Sequence, residues 1–179
     1  MKQFLIAVCA SLASSAALAF PVTVDNCGTP LTLEAAPKRA VIHDLNMTEM
    51  AFALGLQPSI VGLTGITGWY KVGPEFKKLQ GDIPELAPKY PTLENLVAVE
   101  PDLFFAGWYY GMKPGGDVTP DTLAPHGIKT LLLTESCIHT DKNRPAASMD
   151  LLFGDMERLG AVFGKKTEAA ALVEGWKAQ

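Results

Sequence analysis

Three kinds of side chain in this sequence could do chemistry. The histidines are His43, His126 and His139. Imidazole suits zinc or manganese, but each of the three sits in a different segment and none has a short ligand spacing to another. His126 precedes Gly127 at the end of a helical segment, an ordinary place for a cation. Ser136 stands between Glu135 and Cys137, yet no G-x-S-x-G elbow surrounds it and no base pairs with it. Neither a metal site nor a nucleophile emerges, so no cofactor is expected. The third kind is aromatic. "TGITGWYK" carries Thr67, Trp69, Tyr70 and Lys71, and "GWYYGMK" carries Trp108, Tyr109, Tyr110 and Lys113. Such rings offer large rigid contact area with a polar handle, which suits a bulky ligand that is part apolar and part polar. The alternative for each ring is packing beneath its own loop.

Those loops need a scaffold. "FPVTVDNCGTPLTLEAAP" reads as a hairpin in which Val22, Val24, Leu31 and Leu33 alternate with polar residues. A rhythm of short apolar runs and helical segments follows. "RAVIHD", "SIVGLTG", "DLFFAG" and "IKTLLLTES" read as four strands. "MTEMAFALG", "GPEFKKLQG", "TLENLVAV" and "TPDTLAPHG" read as the intervening helices, with Thr92 capping the third. "SMDLLFGDMERLGAVFG" is amphipathic, with Leu151, Leu152, Met156, Leu159 and Phe163 near a helical spacing. Nearly uniform apolar strands between helices predict an α/β fold with a parallel sheet covered on both faces. Ligands in such sheets lie beyond the carboxyl ends of the strands, where "HDLNMTE", the two aromatic loops and "TESCIHTDKNR" fall.

The chain of 179 residues opens with "MKQFLIAVCASLASSAALA", a cation, an apolar run and Ala17-Leu18-Ala19. This pattern predicts a cleavable signal peptide over 1–19 rather than a membrane anchor. It predicts export, with the periplasm as destination. Fifteen basic and 19 acidic residues argue against a nucleic-acid or anionic-membrane partner. Cys27 and Cys137 remain after processing, and an oxidising compartment favours a disulfide between them over two separate buried thiols. The division expected is a signal peptide over 1–19, an N-terminal α/β lobe over 20–145 and C-terminal helices over 146–179.

Four segments together carry a resemblance. They are "LTLEAAPKRAVIHDLNMTEMAFALGLQPSIVGLT", "PTLENLVAVEPDLFFAG", "TLAPHGIKTLLLTES" and "SMDLLFGDMERLGAVFGKKTEAAALVEGW". In order and spacing they resemble the periplasmic substrate-binding proteins of ABC importers for ferric siderophores, haem and cobalamin. The resemblance implies two α/β lobes joined by a long helix, with ligand held between them and no chemistry done on it. It implies that Glu94 docks onto arginines of an inner-membrane permease, although locally Glu94 also suits the positive end of its helix. It further implies a ligand floor of Trp69, Tyr70, Trp108, Tyr109 and Tyr110. Asn46, Thr67 and Glu135 would be polar contacts, and Lys71 and Lys113 would meet ligand oxygens. Few cations fall in these loops, which favours a hydroxamate or mixed siderophore over a catecholate. Cobalamin or haem is the alternative ligand. An exported metal-dependent hydrolase, or a remnant lobe outside transport, is the alternative of another class.

The resemblance also implies a longer protein, monomeric at full length. "KKTEAAALVEGWKAQ" resembles the start of the joining helix, which would leave Ala171, Leu172 and Trp176 uncovered unless they fold back.

Overall fold

A computed structural model of the protein describes residues 20–142 and 148–178. The segment read as a signal peptide lies outside the described residues. The chain enters through an antiparallel hairpin of β1 (Val22–Asn26) and β2 (Thr29–Leu33), paired Val22 to Leu33 and Val24 to Leu31. These four apolar side chains are buried and those between them are not. Cys27 and Gly28 make the turn with φ of 55° and 79°, the positive values that two-residue hairpin loops require.

The main sheet contains β3 (Ala40–His43), β4 (Ile60–Thr64), β5 (Glu85–Ala87), β6 (Leu103–Trp108) and β8 (Lys129–Leu132). Every pairing is parallel, and the order across the sheet is β5-β4-β3-β6-β8. A two-residue strand, β7 (Gly111–Met112), pairs with the end of β6. Four helices connect the strands: α1 (Leu45–Ala53), α2 (Pro74–Gln80), α3 (Leu93–Val97) and α4 (Pro120–Leu123). Thr92 caps α3 through a reciprocal box with Asn95, which satisfies amides that would otherwise be orphaned.

The sheet separates two cores, and β6 shows how. Leu103 and Phe105 face Ile42, Met47, Leu63 and Leu131, while Phe104 and Ala106 face Val41, Leu96, Leu123 and Leu132. A strand buried on both sides has no polar alternation, which is why "DLFFAG" reads as one apolar run. The four strands expected from sequence are all present. The structure adds β5, whose Glu-Leu-Ala is too short and too mixed to show a period.

Two longer helices, α5 (Met149–Val162) and α6 (Lys166–Lys177), belong to the first core through Met156, Leu159, Val162, Ala169 and Val173. Gly160 lets them meet, since a Cβ there would lie 2.4 Å from Ala169 Cβ. Two of the three apolar positions expected to be uncovered on α6 are instead packed. Leu172 and Trp176 lie half-buried against this core, and Trp176 stacks on Phe153 with centroids 6.5 Å apart. Ala171 stays exposed.

The hairpin closes the free edge of β8. Asn26 Nδ2 donates to Thr130 O (3.0 Å), and Leu132 N donates to Asn26 Oδ1 (2.7 Å). Arg158, paired with the buried Asp155, donates to Asp25 O and Leu132 O, both at 2.6 Å. A disulfide joins Cys27 to Cys137, pinning the hairpin to a 3-10 turn over Thr134–His139.

Candidate functional site

The strand order places the site. From β3 the chain runs outward through β4 and β5, then returns to the other side of β3 for β6 and β8. The crevice beyond the carboxyl ends of β3 and β6 is therefore the switch point at which open α/β sheets hold ligands. β3 ends there in His43, followed by Asp44. His43 is 1% exposed, and its Nδ1 shares a 2.8 Å hydrogen bond with Thr64 Oγ1 at the end of β4. Two glycines make room for the ring. A Cβ on Gly65 would lie 2.4 Å from His43 Cε1, and one on Gly111 would lie 2.7 Å from Cγ. Tyr90 stacks on His43, with centroids 5.7 Å apart.

Burial lowers the His43 pKa from 6.5 to about 4, against the opposing pull of the Asp44 carboxylate. The unfolded chain takes a proton near pH 6.5 that the folded one refuses until about pH 4. His43 therefore costs nothing at pH 7, and its penalty grows as pH falls through that window, reaching about 2 kcal/mol by pH 5. Denaturant midpoints at pH 7 and pH 5 measure this. His43→Gln should lose less stability on acidification than the parent, and equal losses would show that His43 is not the group responsible.

Above the imidazole lies a rim of rings. Tyr70 Oη donates to Asp44 Oδ1 at 2.9 Å. Partial burial, that hydrogen bond and the Asp44 charge push the Tyr70 pKa up to about 12. Tyr90 is also raised, by burial and then by Asp44. Tyr90 Oη donates to Tyr109 O (2.7 Å), and Trp69 meets Tyr90 edge-on at 6.2 Å. Tyr109, held at φ 63°, packs against His139 at 4.4 Å. Two ammonium groups cover ring faces, Lys89 Nζ 4.5 Å above Trp69 and Lys113 Nζ 5.1 Å above Tyr90. Glu85 ties down the loop that carries Trp69 and Tyr70. It accepts from Ile66 N and Thr67 N, both at 2.9 Å, and from Thr67 Oγ1 at 2.7 Å.

The residues singled out from sequence separate into groups. Trp69, Tyr70 and Tyr109 are exposed on the rim, and Lys113 joins them through Tyr90. Trp108 and Tyr110 are half-buried and pack into the second and first cores respectively. The Thr67 hydroxyl is committed to Glu85, and Lys71 is exposed on the same loop. Asn46 and Glu135 line a different space, a cavity of about 390 Å³ walled by Met50, Leu133, Leu152 and Trp176. Glu94 lines a groove of about 620 Å³ with Tyr90, Lys113 and Asp117. Its exposed carboxyl is held below the usual range by hydrogen bonds from Thr92 and from a backbone amide. Ser136 is buried and donates to Leu133 O. His126 is exposed at the end of the 3-10 turn that follows α4, and the three histidines share no cluster. Among the described residues no group of three His, Cys, Asp or Glu side chains could hold a metal ion.

Sequence reasoning missed Tyr90, Lys89, Glu85 and Thr64. "PKYPT" carries only the signal of a helix approach, and nothing in it points toward Trp69 or His43.

No protein-family profile matches the chain. In sequence it is similar to the ABC transporter substrate-binding lipoprotein YvrC of Bacillus subtilis (strain 168), at 26% identity over 159 residues. That match covers 88% of this chain and 45% of YvrC. In fold it is similar to a protein of the ABC-type Fe3+-hydroxamate transport system of Saccharomonospora viridis. The TM-score is 0.70 at 24% identity, covering 89% of this chain and 54% of that one. It is also similar to the siderophore-binding protein BauB, bound to ferric iron and two molecules of acinetobactin. There the TM-score is 0.65 at 20% identity, covering 89% of this chain and 51% of BauB. The chain thus spans about half the length of the proteins it matches and has the fold of a single lobe of such binding proteins.

Proposed function

We propose that this chain is a lobe of an extracytoplasmic solute-binding protein that carries an iron(III)–siderophore-type complex to an ABC permease. The observation that carries this reading is the group of exposed rings, Trp69, Tyr70, Tyr90 and Tyr109, gathered at the switch point of a parallel sheet. A rigid aromatic platform of this kind binds by contact area. The Ser136 hydroxyl and the His43 imidazole are engaged internally, with Leu133 O and Thr64, which favours a platform that holds a ligand over one that reacts with it. The relationship to YvrC and the single-lobe fold support the transport role. The lipoprotein character of YvrC and the Cys27–Cys137 disulfide support a place outside the cytoplasm. The signal-like opening sequence supports export, with the periplasm as the destination in this reading. Glu94 is exposed in the groove beside the platform, and in this reading it docks onto permease arginines while ligand occupies the rings.

Calorimetric titration of the folded chain with iron(III) tris-hydroxamate and tris-catecholate complexes tests this. Saturable binding of one of them is expected, and Trp69→Ala should weaken it about tenfold or more, as removal of a central aromatic anchor does. Trp176→Phe, in the separate cavity, should leave the affinity alone. The reverse pattern would move the ligand to that cavity.

A further inference from the structure

We propose that the cavity between α1, α5 and α6 is a second binding site, separate from the ring platform, and that it takes a small organic cation, an ammonium group on a compact apolar body. The cavity encloses about 390 Å³, and its apolar walls are Met50, Leu133, Leu151, Leu152 and Trp176. That size falls in the range of small-molecule sites. Met50 and Leu133 are buried, whereas Leu152 and the Trp176 indole are half-buried and leave apolar surface for a guest to cover. Phe153 stacks on Trp176 and backs the indole.

The charges on the walls are of one sign. Glu49, Glu135 and Asp155 line the cavity, and among its described lining residues there is no lysine, arginine or histidine. Asp155, 3% exposed, is already answered, because Arg158 pairs with it and Thr134 donates to it. Glu49 and Glu135 are exposed, so they stand where the cavity meets solvent. The nearby cations are held away from them. Arg158 is engaged with Asp155, Asp25 O and Leu132 O, and Lys177 lies against Glu174 and the face of Phe153. The first turns of α1 and α5 reach the wall at Asn46 and Ser148. Each helix end carries about half a positive charge, which the two full carboxylate charges outweigh.

These walls separate ligands by charge. An anion meets Glu49 and Glu135 as like charges. A neutral apolar molecule gains the walls but takes water from two carboxylates and offers them no partner. An ammonium on an apolar body gains on both counts. Its carbon surface covers Leu133 and Leu152, and its N–H groups donate to the carboxylates. The indole face of Trp176 adds a further attraction for the charge. The local sequence hid this arrangement. Glu49 lies within α1, Glu135 follows β8 and Trp176 lies near the end of α6, and only the packing of α5 and α6 onto the first core gathers them.

The test is calorimetric titration of the full chain with phenethylammonium, phenethyl alcohol and hydrocinnamate, which share a ring and differ in charge. Phenethylammonium should bind saturably, about tenfold or more tighter than the alcohol, with hydrocinnamate weakest. Glu49→Gln with Glu135→Gln should weaken the amine about fivefold or more, toward the alcohol. Ala53→Phe, on the exposed part of the wall, should fill the cavity and abolish amine binding while leaving iron-complex binding as in the parent. All three positions are exposed, so these variants should melt like the parent. Trp69→Ala should leave the amine's affinity unchanged whatever it does to the iron complex, so the two proposals fail separately. Equal binding of amine and alcohol, or an amine affinity untouched by the glutamine pair, would show that the cavity does not select a cation. Amine binding that survives Ala53→Phe and is lost in Trp69→Ala would place the amine on the platform and remove the second site. A folded chain that binds no amine overturns the proposal and leaves the platform reading standing.

Discussion

Replacing Cys27 and Cys137 together by serine should lower the stability of the fold by about 4–5 kcal/mol, the entropy released when a closed span of this size is opened in the unfolded chain. The bond joins residues 110 apart in sequence, so reduction frees most of the described chain to expand on unfolding. It also ties the β1–β2 hairpin to the 134–139 turn, alongside Asn26 and the Arg158 clamp. For a chain of this length the loss corresponds to a fall in melting temperature of about 10–15 °C. Thermal unfolding of the parent with and without reductant measures it directly, and the double serine variant should match the reduced parent. Superimposable curves for oxidised and reduced parent would mean that the bond contributes nothing. The site should loosen as well, because the same turn carries His139 against Tyr109.

The second large effect belongs to Gly65→Val. Gly65 has φ 74°, a conformation that costs a β-branched residue dearly. Its missing Cβ also leaves the space that His43 Cε1 fills, at 2.4 Å. Valine therefore strains the backbone and displaces the imidazole, at a combined cost of about 3 kcal/mol or more. The displaced ring pushes on Tyr90, which holds Trp69 edge-on and supports the Tyr109 backbone. A denaturant midpoint and a ligand titration should therefore change together. Loss of affinity at parental stability, or the reverse, would separate His43 from the platform and contradict this linkage. Gly73, which has open space around it and an ordinary φ, provides the comparison site.

Much of the fold was legible in the sequence because its causes are local. Val22, Val24, Leu31 and Leu33 declare a hairpin by alternation, and each packs as its position predicts. The apolar runs of β3, β4, β6 and β8 declare strands buried on both faces, and Thr92 declares the start of α3. Periodicity and capping act over a few residues, so a few residues suffice to read them.

The site was legible only in part, for the opposite reason. Trp69, Tyr70 and Tyr109 stood out as exposed-loop aromatics, and the fold does leave them exposed. Asn46, in the first turn of α1, and Glu135, in the 3-10 turn after β8, lie just past strand ends, yet they line a separate cavity with α5 and α6. Trp108 closes a strand whose alternate residues face the second core, so its ring follows Phe104 and Ala106. Tyr90 and Lys89 sit in a turn with no pattern of its own. They become site residues because β5 pairs beside β4 and returns the chain to the ends of β3 and β4.

The sequence by itself determined the four longer strands of the main sheet, the hairpin and the helices between them, and which loops carry rings. The tertiary structure alone decided which of those loops meet. Strand order is set by contacts between residues 20 to 63 positions apart, and no local period records such pairings.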